Sequence, residues 1–265
     1  MITTKDQLNR ELSFPEFPSR IVSLVPSLTE LLHDLDLDRE VAGITKFCIH
    51  PESWHQSKAR VGGTKNLNLE KIRLIRPDLI IANKEENEAE QIRELMLEFP
   101  VWVSDVKSFE DALSMIRSLS SILNRKAIGE TLAAKIDEEF SSAALRNLSE
   151  LACTYLIWKT PLMTIGGDTF INTMLEQAGF VNTFRNYSRY PEITIQQLIH
   201  LNPDLLLLSS EPFPFSDKHI TELREQTGIK KILLVDGEMF SWYGSRMLLA
   251  PSYFLKLRGK IDSEL

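Results

Sequence analysis

The chain has 265 residues, a length that fits one large domain or two of ordinary size. Its composition, 43% hydrophobic and 25% charged, is that of a globular protein and excludes disordered and collagen-like chains. Thirty basic and 37 acidic residues give a net charge of −7, which disfavours non-specific nucleic-acid binding. No apolar run approaches the roughly 18 residues that cross a bilayer, so we expect no transmembrane segment.

Two cysteines, Cys48 and Cys153, are too few for a disulfide framework or a four-cysteine zinc site. Residues 1–20 contain no apolar stretch of the kind that a secretory signal needs. On the sequence as it stands, we therefore expect either a cytoplasmic protein or a chain whose leader has been removed.

The N-terminal part of the chain alternates short apolar runs with helical patterns. Strands are predicted near 20–25, 40–45, 78–82 and 101–104, and helices near 28–35, 69–75 and 88–98. Alternation of this kind predicts an α/β lobe with a largely parallel sheet.

The pattern changes at Phe109, because apolar residues recur at helical spacing up to Leu148 and no strand is predicted there. At about 1.5 Å per residue, a helix from Lys126 to Leu148 would span roughly 35 Å, the width of a small domain. The alternation then resumes, with strands near 154–158, 205–208 and 232–235 and a final helix over 245–258.

An internal repeat indicates two similar lobes. The pattern Leu-x-x-Ile-x-x-Ile-x-Pro-Asp-Leu-Ile-Ile begins at Leu69 and returns, with similar residues, at Ile195, each position shifted by 126. The alternative is chance recurrence of helix–proline–strand units. We predict an N-terminal α/β lobe over 1–107, a helical stretch with a bridging helix over 108–150, and a C-terminal α/β lobe over 151–265.

Ligands of open α/β sheets bind beyond the carboxyl ends of the strands, so the loops there are the candidate site. These loops are rich in aromatic residues, which either pack on their own lobe or line small-molecule sites. Trp242 and Tyr243 are expected to face Phe47 and Trp54 across the site, and lysines and an arginine to meet polar groups of the ligand. The predicted ligand-binding residues are Pro26, Ser27, Lys46, Phe47, Trp54, Lys84, Trp158, Phe213, Phe215, Trp242, Tyr243 and Arg246.

Sequence motifs for catalysis are weak. There is no Gly-x-Gly-x-x-Gly and no Gly-x-Ser-x-Gly, and Gly166-Gly167-Asp168 lacks the rest of a phosphate loop. Cys48, His50 and His55 are residue types of a metal site or of a thiolate–imidazole pair, without a second cluster. They define the alternative function, a cytoplasmic metalloenzyme or metal-cofactor handling protein on the same fold.

Several segments together resemble the helical-backbone substrate-binding proteins of ABC importers, which carry vitamin B12 and ferric siderophores. The resemblance runs from about Asp6 to Leu257 and is closest to the cobalamin-binding branch. It rests on the segments Arg20–Leu31, Val61–Thr64, Asn68–Ile72, Arg76–Ala82, Ile165–Ile171 and Ser241–Arg246.

The resemblance implies two Rossmann-like lobes with mostly parallel sheets, bridged by one long α-helix, with a ligand cleft between the lobes. It implies a non-enzymatic binding protein that needs no cofactor and binds a chelated metal, a corrinoid before a ferric siderophore or haem. It also implies a periplasmic or cell-envelope location and an ABC permease as partner, and we expect a monomer.

Family members dock on the permease through one glutamate on each lobe. Glu70 matches the first of these, and we expect it to be exposed and unpaired. The second position holds Gln196, for which Glu192 is the nearest substitute.

Overall fold

The computed structural model describes residues 1–263. The chain forms two compact units, each assembled from separate stretches of sequence. Unit 1 consists of Met1–Val106, Glu110–Asp137 and Tyr243–Arg246; unit 2 consists of Lys107–Phe109, Glu138–Trp242 and the residues from Met247 on. By these contacts most of the predicted helical stretch belongs to unit 1.

Regular alternation of strands and helices begins at Ile21, as the sequence predicted. The elements up to the middle of the chain are β1 (Ile2–Lys5), β2 (Glu11–Phe14), β3 (Ile21–Ser23), α1 (Pro26–Asp34), β4 (Val41–Ile44), α2 (Glu52–Ser57), β5 (Ala59–Arg60), α3 (Leu69–Ile75), β6 (Leu79–Asn83), α4 (Ala89–Met96), β7 (Val101–Ser104), α5 (Phe109–Ile122) and α6 (Lys126–Phe140).

The main sheet of unit 1 has five parallel strands in the order β5-β4-β3-β6-β7. All residues of β3, β6 and β7 are buried, as expected of parallel strands covered on both faces. The antiparallel pair β1–β2 was not predicted, and it forms a separate two-stranded sheet.

The later elements belong mainly to unit 2. They are α7 (Ala143–Arg146), β8 (Leu151–Trp158), β9 (Met163–Thr164), α8 (Phe170–Gln177), β10 (Phe180–Asn182), α9 (Ile195–Leu201), β11 (Leu205–Ser209), α10 (Asp217–Thr227), β12 (Ile232–Val235), α11 (Glu238–Ser241), a 3₁₀ turn (Ser245–Leu248) and α12 (Ala250–Ser263). The sheet has the order β10-β8-β11-β12 in parallel, and β9 pairs antiparallel with β8.

The internal repeat is confirmed by the two sheets. The first copy forms α3 and β6, and the second forms α9 and β11. Each strand is an inner strand of its own sheet. In unit 1, β6 lies between β3 and β7; in unit 2, β11 lies between β8 and β12. The helix ends also match, because Arg76 and Asn202, 126 positions apart, both adopt the left-handed conformation at the C-cap.

The aspartate of each Pro-Asp pair is a structural residue. Asp78 accepts hydrogen bonds from the backbone N–H groups of Ser19 (2.8 Å) and Arg20 (2.9 Å), immediately before β3. Asp204 accepts one from the backbone N–H of Ala152 (3.0 Å) in β8. Each carboxylate therefore fixes the start of the neighbouring strand, which explains why the repeat includes it.

The predicted bridging helix is shorter than the sequence indicated. Its extent over Lys126–Leu148 was wrong, because α6 ends at Phe140 and a separate turn, α7, follows. Ser141 and Ser142 lie at the break, where hydroxyls compete for backbone hydrogen bonds and disfavour a helix interior. At 1.5 Å per residue, α6 spans about 22 Å. It begins in unit 1 and ends in unit 2.

The predicted final helix over 245–258 also needs correction. A 3₁₀ turn covers Ser245–Leu248, and α12 starts at Ala250 with Pro251 in its first turn, where proline needs no N–H. Across residues 1–263, no helix is both long and apolar enough to cross a membrane.

We predict that Asp78→Ala destabilises the protein by about 1–2 kcal/mol, because it removes acceptors for two backbone N–H groups. Asp204→Ala is the matched control: it occupies the same place in the repeat but accepts a single such bond. Urea unfolding followed by circular dichroism should show the larger loss for Asp78→Ala. Equal losses would contradict the structural role assigned to the Asp78 carboxylate.

Candidate functional site

The carboxyl edge of the unit 1 sheet carries an exposed apolar platform. The loop after β4 places Phe47 there with 51% of its surface exposed, and Ile49 is exposed beside it in sequence. The ammonium of Lys46 lies 5.0 Å from the centre of the Phe47 ring, a cation–π contact. An exposed aromatic ring at the carboxyl edge of an α/β sheet is a candidate stacking surface for a ligand.

Gly63 leaves room for this platform. A Cβ atom on Gly63 would lie 3.0 Å from Phe47 Cε2 and 3.3 Å from Lys46 Cε, so a side chain there would push the platform away. Next to it is a depression of about 660 Å³, bordered by Lys46, Gly62, Gly63, Asn66, Leu67, Asn68, Leu69, Glu70, Arg73 and Glu94.

Trp54 does not line a site, contrary to the prediction. It is only 2% exposed, its ring meets His33 edge-on at 5.3 Å, and the Lys58 ammonium lies 5.0 Å above it. Trp54 faces the core because it falls on the inner face of α2, whose other residues are exposed or half-buried.

Three other predicted residues of unit 1 lie at its carboxyl edge and differ in how far they are exposed. Pro26 and Ser27 are buried in the first turn of α1. Lys84 is half exposed, and its ammonium forms an ion pair with Asp105 (2.7 Å). Lys84 is therefore engaged within unit 1.

Unit 2 carries its own aromatic group after β8 and β11. Trp158 is 38% exposed and donates from Nε1 to the carbonyl of Thr160 (3.0 Å). Its ring lies 5.7 Å from half-buried Phe213, which in turn contacts buried Phe215 at 4.8 Å. Trp158 is the most exposed of the three, and buried Phe215 packs beneath Phe213.

His219 completes this group from α10. Its ring lies 5.3 Å from Phe213 and 5.5 Å from Phe215, and its Nδ1 accepts a hydrogen bond from the Ser216 backbone N–H (2.9 Å). Burial, followed by the charges of Lys159 and Lys218, lowers the pKa of His219. Sequence analysis missed this residue.

Trp242 is not an open-site aromatic either. It is 7% exposed, and its indole N–H donates to Glu211 Oε1 at 2.9 Å. The Ser241 hydroxyl donates to the same oxygen at 2.6 Å. Burial, together with the charge of Glu238, raises the pKa of Glu211 despite these two bonds.

Tyr243 and Arg246 belong to unit 1, although they follow Trp242 in the chain. Tyr243 is buried, and its hydroxyl donates to Glu86 (3.3 Å). Arg246 forms a bidentate ion pair with Glu30, Nε to Oε2 at 2.8 Å and Nη2 to Oε1 at 2.6 Å. Arg246 is thus paired with a carboxylate of the same unit, and its contact with a ligand stays a prediction.

Cys48, His50 and His55 do not form a metal site. The Cys48 thiol is buried. It accepts a hydrogen bond from the Thr29 hydroxyl (3.0 Å) and forms a second one with the Thr45 hydroxyl (3.1 Å). His55 Nδ1 lies 3.1 Å from the carbonyl of Cys48. Among residues 1–263, no three His, Cys, Asp or Glu side chains are arranged to hold a metal ion. The prediction failed because sequence proximity did not place these side chains together.

Glu70 is exposed as predicted but is paired. Its side chain is 79% exposed, and its carboxylate lies 2.6 Å from Arg73 Nη1. Arg73 also binds Glu94 (2.6 Å) and Glu98 (2.7 Å), and these carboxylates raise its pKa. The expectation of an unpaired glutamate was wrong because Arg73 lies one helical turn away. Glu192 is exposed in unit 2.

The chain belongs to the periplasmic binding protein family, which matches residues 21–236. It is 29% identical over 194 residues to a vitamin B12-binding protein of Vibrio vulnificus, covering 72% of this chain and 71% of that protein. The fold is similar to that of the periplasmic vitamin B12-binding protein BtuF of Vibrio cholerae (TM-score 0.77, 20% identity, 93% of this chain and 100% of that one). A periplasmic heme-binding protein from Pseudomonas aeruginosa is also similar (TM-score 0.77, 19% identity, 91% and 92%).

Family membership confirms the resemblance and the two-lobe α/β class. The chain is a substrate-binding protein rather than an enzyme, and it does not belong to a class that requires a cofactor. Members of this family are periplasmic or anchored as lipoproteins.

We predict that Cys48 and Cys153 react with a thiol reagent such as DTNB only on unfolding. Both thiols are buried, and burial raises the pKa of each, so little thiolate is present near neutral pH. Labelling should therefore increase with urea in step with the loss of circular dichroism. Rapid labelling of Cys48 in the native protein would contradict its buried position.

We predict a pH-dependent loss of stability from Glu211. Its pKa is raised above the ordinary value of 4.5, so the folded protein binds the proton more tightly than the unfolded chain. Stability should fall as pH rises from 4.5 through the folded pKa. Glu211→Gln keeps an acceptor for Ser241 and Trp242 without the charge, so wild type should lose stability relative to this variant across that range.

Glu222 is the control, because pH should change the stability of the protein in the opposite direction through this residue. Its ion pair with Lys159 lowers its pKa, so wild type should gain stability relative to Glu222→Gln as pH rises towards 4.5. Urea unfolding of the three proteins from about pH 2.5 to about pH 8 covers both ranges and measures both effects. A constant difference between wild type and Glu211→Gln would refute the buried-carboxylate interpretation.

Proposed function

We propose that the protein is the substrate-binding component of an ABC importer and binds a chelated metal with a broad, flat macrocycle, a corrinoid before a ferric siderophore or haem. The observation that carries the proposal is an exposed aromatic platform at the carboxyl edge of each sheet, Phe47 in unit 1 and Trp158 in unit 2. Aromatic rings stack on flat, partly apolar ligands, and carboxyl edges are the ligand-binding edges of α/β sheets.

The charges of the two edges favour a corrinoid over an anionic siderophore. A trianionic siderophore requires several converging cations, whereas Arg246 is bound to Glu30 and Lys84 to Asp105. Lys46 lies over Phe47. A corrin ring carries amide side chains, which suit an edge where Lys84 and Arg246 are already paired with carboxylates.

The curated relatives support the same ligand class, since the Vibrio vulnificus relative is a vitamin B12-binding protein. The structural neighbours include heme-binding proteins, which makes haem the main competitor within this class. The permease contacts at Glu70 and Glu192, the cleft between the lobes, the monomeric state and the cell-envelope location remain predictions.

The test is a binding screen of the purified protein with cyanocobalamin, dicyanocobinamide, hemin and ferrichrome, by isothermal titration calorimetry. We expect the two corrinoids to bind more tightly than hemin and ferrichrome. Binding of ferrichrome alone, or of none of the four, would refute the proposed ligand class.

We predict that Phe47→Ala and Trp158→Ala each weaken corrinoid binding by about tenfold, or 1.4 kcal/mol, through loss of stacking and of buried surface. The melting temperature of Phe47→Ala should stay near that of wild type, because half of the Phe47 side chain is exposed. Trp158→Ala should also lose some stability, because Trp158 is 38% exposed and its ring packs on Phe213. Phe17→Ala is the matched control: Phe17 is 45% exposed in the same unit but precedes β3, at the opposite end of the strand. A loss of affinity in Phe17→Ala as large as in Phe47→Ala would contradict the site.

A further inference from the structure

Unit 1 includes a short segment from far along the chain, Tyr243–Arg246, which follows the last strand of unit 2. The segment makes no strand pairing, and its end forms a 3₁₀ turn from Ser245. Side-chain contacts therefore decide where it lies. These contacts are with α1 and with the loop after β6, both at the carboxyl edge of the unit 1 sheet.

Gly244 brings the segment close to α1. Its φ of +112° is a conformation that only glycine adopts readily. A Cβ atom there would lie 3.4 Å from both Leu31 Cβ and the Ser27 carbonyl oxygen. The backbone at Gly244 thus packs directly on the first turns of α1.

Arg246 and Glu30 fix the other end of the segment. Two hydrogen bonds, at 2.8 and 2.6 Å, join the guanidinium to the carboxylate in a fork-to-fork arrangement. The side chains are 9% and 17% exposed, so water screens the pair weakly. Planar bidentate pairing defines orientation as well as distance, which a lysine could not do.

We propose that Glu30 and Arg246 are a positioning pair: they hold Tyr243 at the carboxyl edge of the unit 1 sheet, so that ligand affinity depends on the pair although neither side chain touches the ligand. The Tyr243 hydroxyl donates to Glu86, which follows β6, so the segment joins α1 to the β6 loop along this edge. The affinity part of this proposal rests on the proposed function; the positioning part does not.

The experiment compares wild type with Arg246→Met, which keeps much of the side-chain volume but loses the ion pair. Hydrogen exchange detected by mass spectrometry should show peptides covering 241–246 exchanging at least tenfold faster, with the remaining strands of unit 1 unchanged. Affinity for cyanocobalamin, measured by calorimetry, should fall by about tenfold.

Arg125→Met is the matched control. Arg125 also forms a partly buried ion pair in unit 1, with Glu40 at 3.0 Å, and donates to the Leu35 carbonyl just past the end of α1. Arg125→Met therefore removes a comparable ion pair near the C-terminal end of α1, whereas Gly244 packs on its first turns. Neither exchange over 241–246 nor cyanocobalamin affinity should change in this variant.

Conservative variants keep the proposal testable if Arg246→Met does not fold. Arg246→Lys and Glu30→Gln should show smaller changes of the same kind, and the exchanged pair Glu30→Arg with Arg246→Glu should recover part of the protection. Unchanged exchange in all of these variants, or faster exchange with full affinity, would overturn the proposal. If wild type binds none of the four probes, the proposed function fails, and the exchange results alone decide the positioning role.

Discussion

Parallel strands that are covered on both faces leave room for polar side chains only at their ends, and this constraint organises both units. All residues of β6 and β11 are buried, so the polar contacts of these strands are made by residues just before and just after them. At the amino ends, Asp78 and Asp204 bind backbone N–H groups of the neighbouring strand. At the carboxyl ends lie the loops that can meet a ligand.

The sequence predicted the strands and the repeat well because both depend on local apolar patterns. The run Leu205–Leu208 is a buried strand in any arrangement of its neighbours, and the Pro-Asp pair marks where that strand begins. Features that depend on pairing partners were missed. The hairpin β1–β2 buries little of its surface, so its residues show no strong apolar pattern. The helix α6 ends at Phe140 because two serines follow, although the apolar spacing continues beyond them.

Candidate site residues were harder to predict because residue type does not determine burial. Trp54 and Trp158 have the same ring and both lie near strand ends, yet Trp54 is on the inner face of a short helix and Trp158 ends a strand. Trp158 and Trp242 also differ in the partner of the indole N–H: Trp158 donates to the nearby Thr160 carbonyl, whereas Trp242 donates to Glu211, which lies 31 residues away. A long-range carboxylate partner cannot be deduced from spacing, and for the same reason the Glu30 partner of Arg246 was not predicted.

Carboxylates recur at the carboxyl edges, and their partners are side chains of the protein. In unit 1, Glu30 binds Arg246 and Glu86 receives the Tyr243 hydroxyl; in unit 2, Glu211 receives the Ser241 hydroxyl and the Trp242 indole. Each carboxylate thereby fixes a residue that sequence analysis had assigned to the ligand. The Phe47 and Trp158 rings that remain exposed are uncharged, and in unit 1 Lys84 and Arg246 are paired with carboxylates. Under the proposed function, such edges would select a ligand by shape and stacking more than by charge, which suits a neutral or weakly charged macrocycle better than a highly anionic chelate.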